Sequence, residues 1–299
     1  MKKNVLDNSY LKTVFVSRAV DKRTDKTGEK ITNKKISLPV IFFEEDPHNP
    51  EVQKKASLLD FPTILFLAAN SLEEFYSLRE KYLKINPNIE IAWWPIFKSV
   101  WLSPFTKPKE IENVIDDLSS RREKEKRLKV LLDLELPFLR PQYFIVGLFY
   151  FTKSKKLIFE LIKRADNINV EIFSFEYYPH AFIFPKLLEI LGLTFLKLDC
   201  DYQRIVSAYT SFLPPGFRQL MKKSVLYAWR KRKRRMFMAV GVFAPGRTGI
   251  ERKISVKGIE KDIEYFLKRG IDKFAFFRLG GLNRDYLEII KKYLPENYA

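Results

Sequence analysis

Cysteine is almost absent from this sequence. The single Cys200 among 299 residues excludes an intramolecular disulfide and any zinc or iron–sulfur centre built on several thiolates. Such usage fits a reducing compartment, so a cytoplasmic location is expected. Histidine is nearly as scarce, with His48 and His180 alone, too few for a multi-histidine metal centre. Long apolar runs are missing as well. The longest, residues 143–151, is nine residues against the roughly 20 that span a bilayer, so no transmembrane helix is expected. Two lysines open the chain, but Asp7, Asn8 and Ser9 follow where a secretory signal would be apolar. No repeat of fixed period and no low-complexity tract stands out.

What remains is a globular composition, 46% hydrophobic and 30% charged, in a chain long enough for one large α/β barrel or two smaller domains. From Phe61 onward, strand-like and helix-like runs alternate, the pattern of a parallel sheet covered by helices. Strands are expected at 63–69, 89–94, 129–136, 170–176, 195–199, 205–209, 236–243 and 273–279. Helices are expected at 72–83, 109–127, 153–164, 184–191, 217–233, 256–269 and 284–293. Eight strands fit a (β/α)8 TIM-like barrel over residues 61–299. The barrel would be irregular around strands 5 and 6, where residues 199–205 leave room for a turn and not for a crossover. An open doubly wound sheet is the alternative. Residues 1–60 read as an N-terminal extension, with β-like runs at 12–20 and 34–43 forming a long-tipped hairpin, or with the second run serving as the true first barrel strand.

The most telling stretch is KVLLDLELP, residues 129–137, an apolar strand that turns acidic only at its C-terminal end. A period of two puts Leu131, Asp133 and Glu135 on one face and Val130, Leu132, Leu134 and Leu136 on the other. Two carboxylates inside a buried strand would lose several kcal/mol of hydration each, unless the position opens onto a polar cleft. In a barrel, the C-terminal strand ends are where chemistry gathers. Those ends supply Trp93 and Trp94, Asp133 and Glu135, Glu176, Asp199, Tyr209, Arg247 and Arg278. Carboxylates facing each other across a cleft suit glycoside hydrolysis, and Glu135 with Glu176 on consecutive strands is a candidate pair. Trp93, Trp94 and Tyr177 offer flat faces for sugar stacking, while Asp199, Arg247 and Arg278 are candidate substrate contacts.

The D-x-E-x-P run of Asp133, Glu135 and Pro137 resembles the signature strand of chitinase-type glycoside hydrolases. The run IVSAYTSF, carrying Tyr209, is similar to a later strand of that family. KRLKVLL stands where the family carries glycines and a further aspartate. The resemblance implies a TIM barrel in which Glu135 is the general acid, Asp133 orients the substrate and Tyr209 supports the reaction intermediate; beside it, Glu176 would be the second carboxylate, and burial with the Asp133 charge would raise the Glu135 pKa. A carbohydrate would be the substrate, with no cofactor. VEIFSFEYYP together with DLEL also resembles glycerophosphodiester phosphodiesterases. That alternative implies Mg2+ or Ca2+ held by Asp133, Glu135, Glu176 and Asp199.

Charge is strongly one-sided, net +18. Lys222, Lys223, Arg230, Lys231, Arg232, Lys233, Arg234 and Arg235 fall in one helical stretch without an acid. Such a cluster attracts nucleic acid or an anionic membrane surface. Its position before a strand maps it to the barrel face opposite the expected site. A non-catalytic barrel that binds polyanions through this helix is therefore a third reading.

Overall fold

The computed structural model describes residues 34–97, 101–121, 127–134, 141–176, 189–194, 202–232, 236–246 and 252–298, with the backbone only at 141–144, 212, 215, 228, 231 and 232. Eight parallel strands close into a barrel in sequence order. They are β1 (Val40–Glu44), β2 (Thr63–Ala69), β3 (Glu90–Pro95), β4 (Leu128–Asp133), β5 (Val170–Glu176), β6 (Gln203–Ser207), β7 (Met236–Val242) and β8 (Phe274–Phe277). The chain is a (β/α)8 TIM-like barrel.

Closure comes from β1, which pairs parallel with β2 through Val40 to Glu44 and with β8 through Ile41 to Phe43. This removes the open-sheet alternative. It also moves the start of the barrel ahead of residue 61, into the segment expected to be an extension, so the run at 34–43 is the first barrel strand. The run at 12–20 and the rest of residues 1–33 lie outside the described residues. With β1 in place, the cramped crossover before residue 205 disappears: β6 follows β5 through residues 177–202, and the strand expected at 195–199 lies outside the described residues.

The helices among the described residues are α1 (Pro50–Lys55), α2 (Leu72–Ile85), α3 (Pro108–Ser120), α4 (Pro141–Leu148), α5 (Phe151–Arg164), α6 (Pro215–Arg232), α7 (Val256–Leu267) and α8 (Arg284–Lys292). Their starts are written in side-chain chemistry. Ser71, Ser255 and Asn283 each accept a backbone N–H of the first turn, which satisfies one of the amides a helix start leaves open. Short α1 and the apolar α4 were not foreseen. The helix expected at 184–191 falls mostly outside the described residues.

Every strand is buried on both faces, as a parallel sheet under helices requires, and the pleat sorts its residues into two layers. One parity faces the helices: Val40, Phe42, Leu65, Trp93, Val130, Leu132, Ile172, Val206, Met238 and Phe276. The other fills the barrel: Ile41, Phe43, Phe66, Trp94, Leu131, Phe173, Phe175, Ile205, Phe237 and Phe277. In β7 the parity slips between Ala239 and Val242. Gly241 absorbs the extra residue with φ +78, a conformation that a Cβ would disfavour. The barrel is thus plugged by aromatic rings rather than open as a channel.

Candidate functional site

The C-terminal mouth of the barrel is floored by rings. Phe43 meets Trp94 edge-on at 5.9 Å and Phe175 edge-on at 5.7 Å, Phe175 stacks on Tyr209 at 6.0 Å, and Tyr209 lies 6.3 Å from Phe277. Five strands and the residues just after them therefore build one aromatic bowl. A wall comes from the loop after β3, which turns back so that Trp101 forms an antiparallel bridge with Ile96 and packs 6.0 Å from Trp94. Thr106 fixes that turn, its hydroxyl donating to the Trp101 carbonyl at 2.6 Å and accepting from the Ser103 amide at 3.0 Å.

Asp133 brings a carboxylate to this bowl. It ends β4 on the parity of the lumen residue Leu131, is buried, and pairs in register with Phe175. Burial of an acid at the rim of an apolar plug is costly unless something polar uses it, so the period-two reading of KVLLDLELP holds for Asp133. Trp94 adds a second polar group. Its ring is 3% exposed and its indole Nε1 has no hydrogen-bond partner among the described residues. A buried N–H without an acceptor forfeits about 1–3 kcal/mol, a cost that a water, an ion or a ligand at the site can offset.

Tyr209 follows β6 and belongs to the bowl. Arg278 follows β8 and sits at the rim, its guanidinium 3.8 Å from both Glu44 and Glu45. Those two acids escaped the sequence reading, although the run VIFFEE turns acidic at its end just as KVLLDLELP does. Glu44 is wholly buried and ties the β1 and β8 loops together, accepting from the Asp46 amide at 2.7 Å and the Gly280 amide at 2.6 Å. Burial pushes its carboxyl above the ordinary glutamate range, opposed by Arg278 and the two amides.

Two expected site residues point elsewhere. Trp93 has the outward parity: it packs on Phe75 at 6.2 Å and donates to the Ala69 carbonyl at 3.2 Å, so it is core under α2 and not a sugar platform. Glu176 also lies on the outer face, opposite Phe173 and Phe175. It accepts from the Ser174 hydroxyl at 2.8 Å and pairs with buried Arg204 at 3.7 Å. Arg204 in turn hydrogen-bonds Tyr202 and Thr194. The structure therefore does not bring Glu176 to Asp133, either as a catalytic partner or as a shared ligand of one cation. Among the described residues, no three acidic, cysteine or histidine side chains are grouped to hold a metal. Glu135, Tyr177, Asp199 and Arg247 lie outside the described residues.

The basic stretch divides as well. Lys222 is buried between α6 and α7, 2.6 Å from Asp262 and over the Tyr265 ring at 4.5 Å. It belongs to a core ion pair and not to a surface patch. Lys223 and Arg230 are exposed. The side chains of residues 231–235 lie outside the described ones. No helix of the described residues is long and apolar enough to cross a membrane.

No protein-family model and no curated protein sequence matches the chain. Among solved structures, it is similar to the PgaB (BpsB) glycoside hydrolase domain of Bordetella bronchiseptica, with a TM-score of 0.56 at 9% identity over 87% of this chain and 100% of that one. It is similar also to the spore cortex-lytic enzyme SleL of Bacillus cereus, TM-score 0.57 at 11% identity over 88% and 76% of the two chains. SleL of Bacillus megaterium gives 0.53 at 12% identity over 88% and 76%. At such identities the likeness is one of fold.

Proposed function

We propose that the protein is a glycoside-hydrolase-like barrel that binds and cleaves a carbohydrate at the C-terminal mouth. The observation that carries this reading is a buried Asp133 carboxylate at the rim of an aromatic bowl that also holds the Trp94 indole N–H, which has no partner among the described residues. Rings that stack on a pyranose face, together with a few buried polar groups that fix its hydroxyls, are the composition of a sugar site. The similarity of fold to a glycoside hydrolase domain supports the same reading.

In the reaction, Glu135 donates its proton to the glycosidic oxygen as the bond to the anomeric carbon breaks, and a water then adds to that carbon and returns a proton to the Glu135 carboxylate. Asp133, two residues earlier, orients the sugar. Tyr209, stacked on Phe175, supports the charge developing on the ring. Glu176 has no part in this scheme, being engaged with Arg204 on the outer face.

The test is a panel of oligosaccharides, β-linked N-acetylhexosamine chains first, with released reducing ends as the readout. Glu135→Gln should lower turnover about 10²–10⁴-fold while leaving the binding constant within about threefold, since removing a proton donor spares ground-state contacts. Unchanged turnover in Glu135→Gln sinks the assignment.

A further inference from the structure

Scattered apolar side chains on a surface need no explanation, but a cluster does. Ten large apolar residues are exposed among the described side chains, and most of them belong to segments that follow β4, β5 and β6 in the chain. Four belong to α4 and the residue after it, Ile145, Val146, Leu148 and Phe149, of which Phe149 is 85% exposed. Ile190 is 62% exposed, and Phe217 and Leu220 occupy the first turns of α6.

The outward display of α4 is set by its packing. Gly147 is the position turned inward, so close to the loop after β3 that a Cβ there would stand 2.8 Å from the Phe105 Cβ. Its neighbours on either side must then face out. The same loop residue, Phe105, packs on Phe151 and clusters with Leu191 and Leu193. Lys155 holds the adjoining segment by donating to the carbonyls of Glu189 and Ile190 at 2.8 Å each. Thus α4, the start of α5 and residues 189–193 form one surface, with the apolar side chains on its outside.

Charge indicates what this surface meets. Residues 136–159 contain no acid, and neither do residues 202–250. The exposed bases Lys156, Arg218 and Lys223 sit on the helices that carry the patch. On α6 the exposed positions Phe217, Leu220, Lys223, Tyr227 and Arg230 recur every three or four residues along one face, mixing rings and aliphatic groups with cations. A nucleic acid would use the bases but leave the aliphatic groups in water. Apolar side chains that enter the acyl boundary beside cations that meet lipid phosphates use both.

We infer that this surface, α4 with residue 190 and the first turns of α6, docks on an anionic membrane interface. The inference is independent of the carbohydrate reading, because docking is read without any sugar present.

Sedimentation of the full chain with vesicles tests it. Vesicles of neutral phosphatidylcholine are compared with vesicles carrying about one third phosphatidylglycerol, beside a DNA duplex as a competing polyanion. The expected result is preferential binding to the anionic vesicles. Ile145→Ser/Phe149→Ser should weaken it about tenfold or more, and Arg218→Gln/Lys223→Gln by about fivefold per charge. All four positions are exposed, so both variants should melt with the wild type, and a matching melt shows that lost binding is not lost folding. Three results overturn the proposal. One is no binding to either vesicle. Another is binding that survives Ile145→Ser/Phe149→Ser. The last is DNA that strips the protein from vesicles while the apolar variant binds DNA as the wild type does, which makes the surface a nucleic-acid patch.

Discussion

Replacing Asp262 with leucine should destabilise the barrel far more than a surface ion pair would suggest. Asp262 of α7 is 2.6 Å from the Lys222 ammonium of α6, and the two side chains are 4% and 9% exposed. Its other oxygen accepts from the Thr210 hydroxyl at 2.5 Å. The one carboxylate therefore joins two helices to the turn after β6, next to Tyr209. Removing either charge leaves the other buried without its counter-ion, a loss of about 3–5 kcal/mol. For a domain of this size each kcal/mol moves the midpoint by roughly 2–4 °C, so Asp262→Leu and Lys222→Met should each melt about 10 °C early. The double variant Asp262→Leu/Lys222→Met fills the space with apolar groups of similar volume and should regain most of this. It leaves only the Thr210 hydroxyl without an acceptor, about 1 kcal/mol. Calorimetric melts and guanidinium titrations of the four proteins give the coupling energy directly. Single variants that lose less than about 1 kcal/mol, or effects that simply add, would show that Lys222 reaches water, and the argument from burial would fail.

Two further predictions concern the mouth. Trp94→Phe keeps most of the ring and removes a buried N–H that has no partner among the described residues, so stability should hold or rise by up to about 1 kcal/mol while affinity for the cognate sugar falls about tenfold. Melts paired with titration calorimetry check this, and an undiminished affinity removes Trp94 from the site. Glu44 has its carboxyl raised by burial. Its folded form keeps the proton above the pH at which the unfolded chain releases it, so its contribution is fully present below the ordinary glutamate pKa of about 4.3 and is lost as pH rises through the folded value. Urea unfolding across that window should show a downward slope in the wild type that flattens in Glu44→Gln. An identical slope in both proteins refutes the assignment to Glu44.

Much of the fold was legible because strand and helix periods differ locally. Thr63–Ala69 is an apolar run and Val170–Glu176 mixes apolar with polar residues in the manner of a strand, and both fold as strands over those residues. Asp133 was legible too, since an acid sharing the parity of Leu131 at the end of a strand has few places to go. By contrast, α4 is apolar nearly throughout, and a helix without a polar face gives no 3.6-residue signal. Phe274–Phe277 and the first four residues of β1 are equally short and apolar, so nothing local revealed that they are neighbours.

The sequence by itself determined the alternation of strands and helices, the scarcity of soft metal ligands, the excess of positive charge and the carboxylate at the end of β4, because each follows from residue chemistry within a few positions of the chain. Tertiary structure alone decided which parity of each strand faces the lumen, since a strand buried on both sides is apolar on both. That choice sends Trp94 and Tyr209 into the bowl and turns Trp93 and Glu176 outward. It also decided that Lys222 is a buried partner of Asp262 rather than part of a cationic surface, and that β1 closes the barrel against β8. Those outcomes depend on contacts between residues far apart in the chain, where no local pattern carries the information.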